Sequence, residues 1–364
     1  MSKTVVIING IVLLLCIAIF GILVILHKED LPQEKLSPDA KPGINSGMLK
    51  KGEFLRTVSE YIANRYPFRI QFLEFNSALD RLAADGIVNG IYIDDEMLLH
   101  LRTYTEHTFE YAEKINEFAS NRATSVFVVA VPTSDGIYEE LLPEYLVSIT
   151  QKSVIERFYN ALDMGVRKVD AFNTLKMYSS EYIYYRNDTK WTTYGAYCVY
   201  KTAIKKLGFT PISYDKFVVE HITDNFRGNL YSKSLYSGTK TDTIDIAKCR
   251  SGCEITSIRT YDSELTAADG LIYDKKYLNS NYMYDVFLGG NNNPIVVETN
   301  AESDMKILII KDEYANCFIP FLVNHYSKIV VVDNQCDLDK YESVFAVEDF
   351  SQVLFISGID TFLK

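Results

Sequence analysis

Four short apolar runs limit what this chain can fold into. SVFVVAV (125–131), KILII (306–310), KIVVV (328–332) and QVLFIS (352–357) carry hydrophobic side chains on both alternating faces of an extended backbone. A strand with one wet face alternates apolar and polar residues, whereas a run apolar on both faces fits a strand covered on each side, as in a parallel sheet. Helical patterning lies between these runs. HTFEYAEKINEFASN leads straight into the first, a helical stretch near Val154–Leu162 leads to the short strand VRKVDAF, and TTYGAYCVYKTAIKKLGF reads as an amphipathic helix stopped at Gly208, a residue suited to a left-handed C-cap. This alternation predicts an α/β domain with a mostly parallel sheet that includes strands Val126–Val131, Ile307–Ile310 and Ile329–Val332.

The texture changes between residues 210 and 300, which are rich in Tyr, Thr, Ser, Asn and Asp with short alternating runs. This segment is expected to be an antiparallel or irregular insertion. Nearer the N-terminus, GEFLRTVSEYIANRYPFRIQFLEFNSALDRLAA predicts two helices broken at Pro67, and NGIYIDDEMLLHL predicts a hairpin. The domain is expected over residues 49–364. Residues 28–48, with three prolines and mixed charge, read as a stalk. Thr4–Leu26 has 23 residues without a charge, about 34 Å as a helix and enough to cross a bilayer. No small-x-small cleavage site follows, so residues 1–27 are expected to be an uncleaved single-pass anchor, N-terminus cytoplasmic and domain extracellular.

A formal net charge of −11 argues against nucleic acid as a partner. The five histidines are scattered, and no C-x-x-C pair or His cluster suggests a metal or other cofactor. Five of six cysteines lie outside the expected anchor; Cys249 and Cys253 could close a small ring or stay free thiols.

Two stretches carry possible chemistry. YYRNDTKWTTYGAY holds Asp188, Lys190 and the single tryptophan, Trp191. In many hydrolases an Asp orients a His that takes a proton from a nucleophile, and here Lys190 occupies the place expected for that His. The second stretch, KILIIKDEYANCFIPFL, reads as a buried strand, a polar turn and a helix. Catalytic groups of open parallel sheets gather at such strand ends, although Asp312-Glu313 also suits simple N-capping. Gly290 and Asn291 offer either oxyanion donors or a tight turn. Ser134, after the first strand, is a conceivable stand-in nucleophile. Arg186 could form an ion pair or bind a glycan hydroxyl.

RNDTKWTTYGA and ILIIKDEYANCFIPFL together resemble the DHHW protein family, which is similar to SGNH-like, alginate-type O-acetyltransferases. YPFR (66–69), NGIYI (89–93), VPTS (131–134), FRGNLYSKS (226–234) and FLGGNNNP (287–294) extend the resemblance over roughly residues 54–358. It implies an SGNH-hydrolase-like three-layer fold, acyl or ester chemistry on extracellular glycans, and an Asp–His–Ser triad. Asp188 matches the triad Asp, Lys190 stands in place of the His and Glu313 in place of the Ser. Trp191, Asp312, Tyr314 and Asn316 belong to the same motifs and are expected to line the site. A free lysine titrates near about 10.4, too high for a general base at neutral pH, and two carboxylates beside it favour the ammonium further. The expectation is a pseudoenzyme with an ion pair where nucleophile and base would be, binding envelope polysaccharide or scaffolding membrane acyl-transfer proteins. The alternative is an active O-acetyltransferase or esterase on cell-wall or exopolysaccharide sugars.

Overall fold

The computed structural model describes residues 3–26, 56, 68–104, 109–146, 149–290 and 293–364. The chain divides into two compact units, residues 1–89 with 231–238, and residues 90–230 with 239–364.

In the first unit Lys3–Leu26 is a helix of 24 residues, with side chains described over 11–22 and exposed apart from the half-buried Gly21. Among the residues so described, no helix is long and apolar enough to cross a membrane; positions 11–22 alone are too short for a bilayer. A second helix, Arg69–Ala83, follows Pro67 as the sequence predicts and starts from Phe68 in a left-handed conformation. Its inner face is tied by Tyr231, which donates to Glu74 at 2.7 Å, and by Arg81, which donates to Tyr236 at 2.7 Å. The expected stalk at 28–48 and most of the helix before Pro67 lie outside the described residues.

The second unit is built on an eight-stranded sheet. In chain order its strands are β1 (Ser125–Val131), β2 (Arg167–Lys168), β3 (Ile255–Tyr261), β4 (Ala267–Asp269), β5 (Ile295–Thr299), β6 (Lys306–Lys311), β7 (Lys328–Asp333) and β8 (Gln352–Gly358). Across the sheet they run β2-β1-β8-β6-β7-β5-β3-β4. The first five in that order are mutually parallel, with Ile309 of β6 opposite Val331 of β7 and Leu354 of β8. Four of them, β1, β6, β7 and β8, are the runs apolar on both faces, and Val128, Ile309, Val330 and Leu354 are fully buried. Helices Glu110–Ser120, Gln151–Ala161 and Thr193–Lys206 occur where the periodicity places them, whereas only Arg167–Lys168 of the expected strand VRKVDAF is extended and a further helix, Ala171–Met177, begins inside that stretch. Gly208, just past the last of these, has φ 93°. The hairpin Ile91–Ile93 with Leu98–His100 is also formed.

Two expectations need correction. Residues 210–300 are not wholly a side excursion. Phe217–Phe226 and Asp242–Cys249 form a separate antiparallel pair, but β5, β3 and β4 join the main sheet antiparallel at the edge of β7. Without β5 the backbone of β7 would present an unpaired edge there. Secondly, the segment after β6 is not an α-helix. It consists of 3₁₀ turns at Glu313–Cys317 and Ile319–Asn324. Pro320 has no N–H to return to the carbonyl of Asn316, so an α-helix begun at Glu313 cannot continue through it.

Candidate functional site

The segment 184–191 folds as a tight loop whose ends meet. Tyr184 bridges Trp191, and Tyr185 N–H donates to the Lys190 carbonyl at 3.2 Å. The loop is pinned from behind by Asp242, which is fully buried. Its carboxylate accepts from the N–H groups of Arg186 and Asn187, both at 2.8 Å, and from the Tyr182 hydroxyl at 2.6 Å. Beyond the loop, the Thr192 side chain caps helix Thr193–Lys206 by accepting from Gly195 N–H.

Asp188 is held by two backbone donors, the N–H of Lys190 on Oδ1 and of Asn229 on Oδ2, both at 2.9 Å. Gly228 makes the second possible. A Cβ on Gly228 would lie 2.1 Å from Asp188 Oδ2, so only glycine lets the backbone come this close. The carboxylate therefore faces Lys190, whose ammonium lies 3.3 Å from Asp188 Oδ1 and 3.1 Å from Glu313 Oε2. The Tyr284 ring covers another side of the ammonium, 5.0 Å away. Burial works against the charge of Lys190, but Asp188 and Glu313 outweigh it and raise the ammonium's pKa. Glu313 is lowered by Lys190. A lysine so placed holds its proton at neutral pH and has no lone pair to act as a base.

The surroundings divide into framework and cleft. Asp312 is framework: its carboxylate accepts from Tyr314 N–H at 2.9 Å, from Gly358 N–H at 2.9 Å and from the Thr361 hydroxyl at 2.7 Å. It thereby ties the C-terminal end of β6 to that of β8, and burial pushes its pKa up to about 6. Trp191 is fully buried and donates its indole N–H to the Tyr314 carbonyl at 2.7 Å. The Tyr314 hydroxyl donates to the Thr189 carbonyl at 2.9 Å. Both rings clamp the two motifs together and are not free to touch a ligand, which corrects the expectation that they line the site. Asn316 is likewise fully buried, and among the described residues none partners its amide. Arg186 turns to Asp242 at 3.6 Å and the Tyr182 ring rather than to Asp188. Ser134 begins a short helix after β1, is fully buried and among the described residues has no side-chain hydrogen-bond partner, so none of them is placed as a base to activate it.

Gly290 lies in a turn with Gly289; both have positive φ, 92° and 70°. Its missing side chain leaves room for the carboxylate of Asp285, 3.3 Å from where a Cβ would be. Asn291 falls outside the described residues. Asp285 itself was not singled out by the sequence. Burial first, then the negative charge of Glu313, pushes its pKa up to about 6, with Lys190 and Lys311 opposing. Lys311, at the end of β6, is 2% exposed, and burial lowers its pKa to about 8. A lysine at the end of an apolar strand was the available signal for it. Nothing in the sequence around Asp285 sets it apart, nor Gly228 and Asn229 as supports of Asp188. Among the described residues no group of His, Cys, Asp and Glu is placed to hold a metal ion.

Three charged residues from two distant motifs, Asp188, Lys190 and Glu313, thus meet where β6 ends, the kind of place where ligands of open α/β sheets gather. The DHHW protein model matches residues 88–332, more than half of the chain, and the chain belongs to that family. A DHHW family protein from Eubacterium siraeum DSM 15702 is similar in structure, with a TM-score of 0.64 at 24% identity over 77% of this chain and 95% of that one. Bacillus cereus PatB1 with a sulfonyl adduct gives 0.63 at 17% identity, over 75% and 96%. The O-acetyltransferase domain of Pseudomonas putida AlgJ gives 0.42 at 10% identity, over 70% and 82%. At these identities the likeness to the first two is one of fold. No curated protein matches the sequence.

Proposed function

We propose that this protein is a catalytically inert DHHW member that binds an envelope glycan, held at a membrane by the apolar helix of residues 4–26. One observation carries the inert reading: the Lys190 ammonium lies between Asp188 and Glu313, at 3.3 and 3.1 Å, where the family resemblance implies a His and a Ser. Held as an ammonium, Lys190 supplies no general base, and no hydroxyl or thiol nucleophile stands at position 313. The glycan and the anchor rest on the resemblance and on the uncharged N-terminal run.

The test is hydrolysis of an activated acetyl ester. The unmodified protein should match buffer, as should Lys190→His and Glu313→Ser alone, since each restores half of a nucleophile–base pair. The double variant should gain hydrolysis above buffer. Hydrolysis by the unmodified protein that is lost in Glu313→Ala or Ser134→Ala would overturn the inert reading. Protease added to intact cells should remove the domain; full protection would overturn the topology.

A further inference from the structure

The helix Arg69–Ala83 of the first unit turns its most apolar stripe outward. Phe68 at its N-cap, then Phe72, Phe75, Leu79 and Leu82, recur at alternating spacings of four and three, the a/d pattern of a helix–helix seam. They are 65, 56, 61, 48 and 83% exposed. The inner face is built differently. Ile70 and Leu73 are half-buried and Ser77 is buried, while Glu74 accepts from the Tyr231 hydroxyl and Arg81 donates to the Tyr236 hydroxyl, both at 2.7 Å. At about 100° per residue, Arg69, Glu74, Asp80 and Arg81, the charged residues of the helix, all fall outside the stripe. Its edges are Gln71, Asn76, Ala78 and Ala83, all exposed and uncharged. A surface helix ordinarily turns its apolar stripe to the core, so the outward stripe needs a cover of its own.

We infer that this face docks on the same face of a second copy of the chain, about a twofold axis that passes near Phe75, the middle of the stripe. Three features select that occupant. The spacing is its own complement, since a seam of a and d positions packs against an identical seam, as an isologous contact requires. The area suffices: large apolar side chains bury about 150–250 Å² each when fully covered, so at these exposures one stripe presents about 500 Å² and two face to face about 1,000 Å², the lower bound of a specific interface. The edges carry no charge, so two copies meet without like charges opposed. A helix lying on a membrane surface instead borders its apolar face with Lys and Arg, which these edges lack. An axis at Phe75 brings this residue beside its own copy whether the two helices run parallel or antiparallel.

Two differently tagged copies of the full-length chain would be co-expressed and treated in cells with a short, membrane-permeant bismaleimide. Each carries Phe75→Cys in a Cys16→Ser background, because Cys16 is itself exposed. A product with both tags should form at a yield at least about tenfold above that of Met164→Cys, a fully exposed position on the other unit that reports chance collisions. Phe72→Lys with Leu79→Lys should lower the yield by at least about tenfold, since both ammonium groups would be buried in the seam. Both positions are exposed in the single chain, so the variant should fold; Leu82→Lys, at the most exposed position of the stripe, gives the same reading if it does not. No product with both tags, equal yields from positions 75 and 164, or a yield unmoved by Leu82→Lys would each overturn the dimer. A product with a single tag would mean that another protein occupies the face. Protection of Phe75→Cys from a water-soluble maleimide, with no product carrying both tags, would mean that lipid or residues 54–66 of the same chain cover it. Either result overturns the proposal.

Discussion

Lys190 is paired with two carboxylates of very different burial, so removing its partners and removing Lys190 itself should have unequal costs. Take Lys190→Met, which keeps an unbranched side chain one atom shorter and deletes the charge. The Lys190 and Asp188 side chains are 9% and 3% exposed and lie 3.3 Å apart. Their attraction is about 5 kcal/mol at an effective dielectric of about 20, offset by the desolvation of both ions. Deleting one partner of a buried pair costs about 3–5 kcal/mol, because the other charge stays buried. Asp188 keeps its two N–H donors, so the variant belongs at the low end, about 3 kcal/mol. Glu313→Gln is the contrast. The Glu313 side chain is 55% exposed, solvent screens its pair, and its loss should cost no more than about 1 kcal/mol. For a domain of this size about 1 kcal/mol moves Tm by roughly 2 °C. Thermal unfolding followed by circular dichroism at pH 7 should therefore show a drop of about 6 °C for Lys190→Met and about 2 °C or less for Glu313→Gln. Equal drops for the two single variants, or a neutral Lys190→Met, would refute the assignment of Asp188 as the buried anchor of the pair.

Gly228→Ala should push Asp188 off its Asn229 donor, since the new Cβ would start 2.1 Å from Asp188 Oδ2; a loss of about 1–3 kcal/mol is expected, and a denaturant midpoint equal to wild type would count against the close approach. Asp285 has its folded pKa raised to about 6 by burial and by Glu313, so its contribution is fully present below the unfolded value near about 3.9 and is lost as pH rises through about 6. Asp285→Asn should flatten that part of the stability–pH curve, and Tm measured from pH 4 to 7 checks it. Glu313, lowered by Lys190, acts in the opposite direction: its contribution is lost as pH falls below its unfolded value near about 4.3 and through its folded value. A sulfonyl fluoride should leave the mass of the unmodified protein unchanged and add to the Lys190→His/Glu313→Ser double variant; an adduct on Glu313 or Ser134 of the unmodified chain would contradict an inert site.

Backbone chemistry was the most legible part of the sequence. The apolar runs at 125–131, 306–310, 328–332 and 352–357 could be read as parallel strands because burial on both faces leaves no polar alternation, and Gly208 marked a helix end because few other residues accept its left-handed φ. That positions 190 and 313 hold Lys and Glu where the resemblance implies His and Ser was legible too, since it is a matter of residue type at a position. What the tertiary structure decided was proximity and exposure, which depend on residues far away in the chain. Positions 190 and 313 are brought to 3.1 Å by strand pairing and by the clamp between Trp191 and Tyr314; the same clamp buries two rings that the motifs alone would have offered to a ligand. The 255–299 strands join the main sheet because the edge of β7 needs a partner, a requirement set by the order of strands in space. Asp242 and Asp285 have no local signature, and the FRGNLYSKS stretch marks Gly228 and Asn229 without saying what they hold, because the work of Asp242, Gly228 and Asn229 is done on atoms 40 or more positions away and that of Asp285 through the space left by a glycine. Side-chain type was fixed by the sequence; which charges meet, and how much water screens them, was fixed only by the fold.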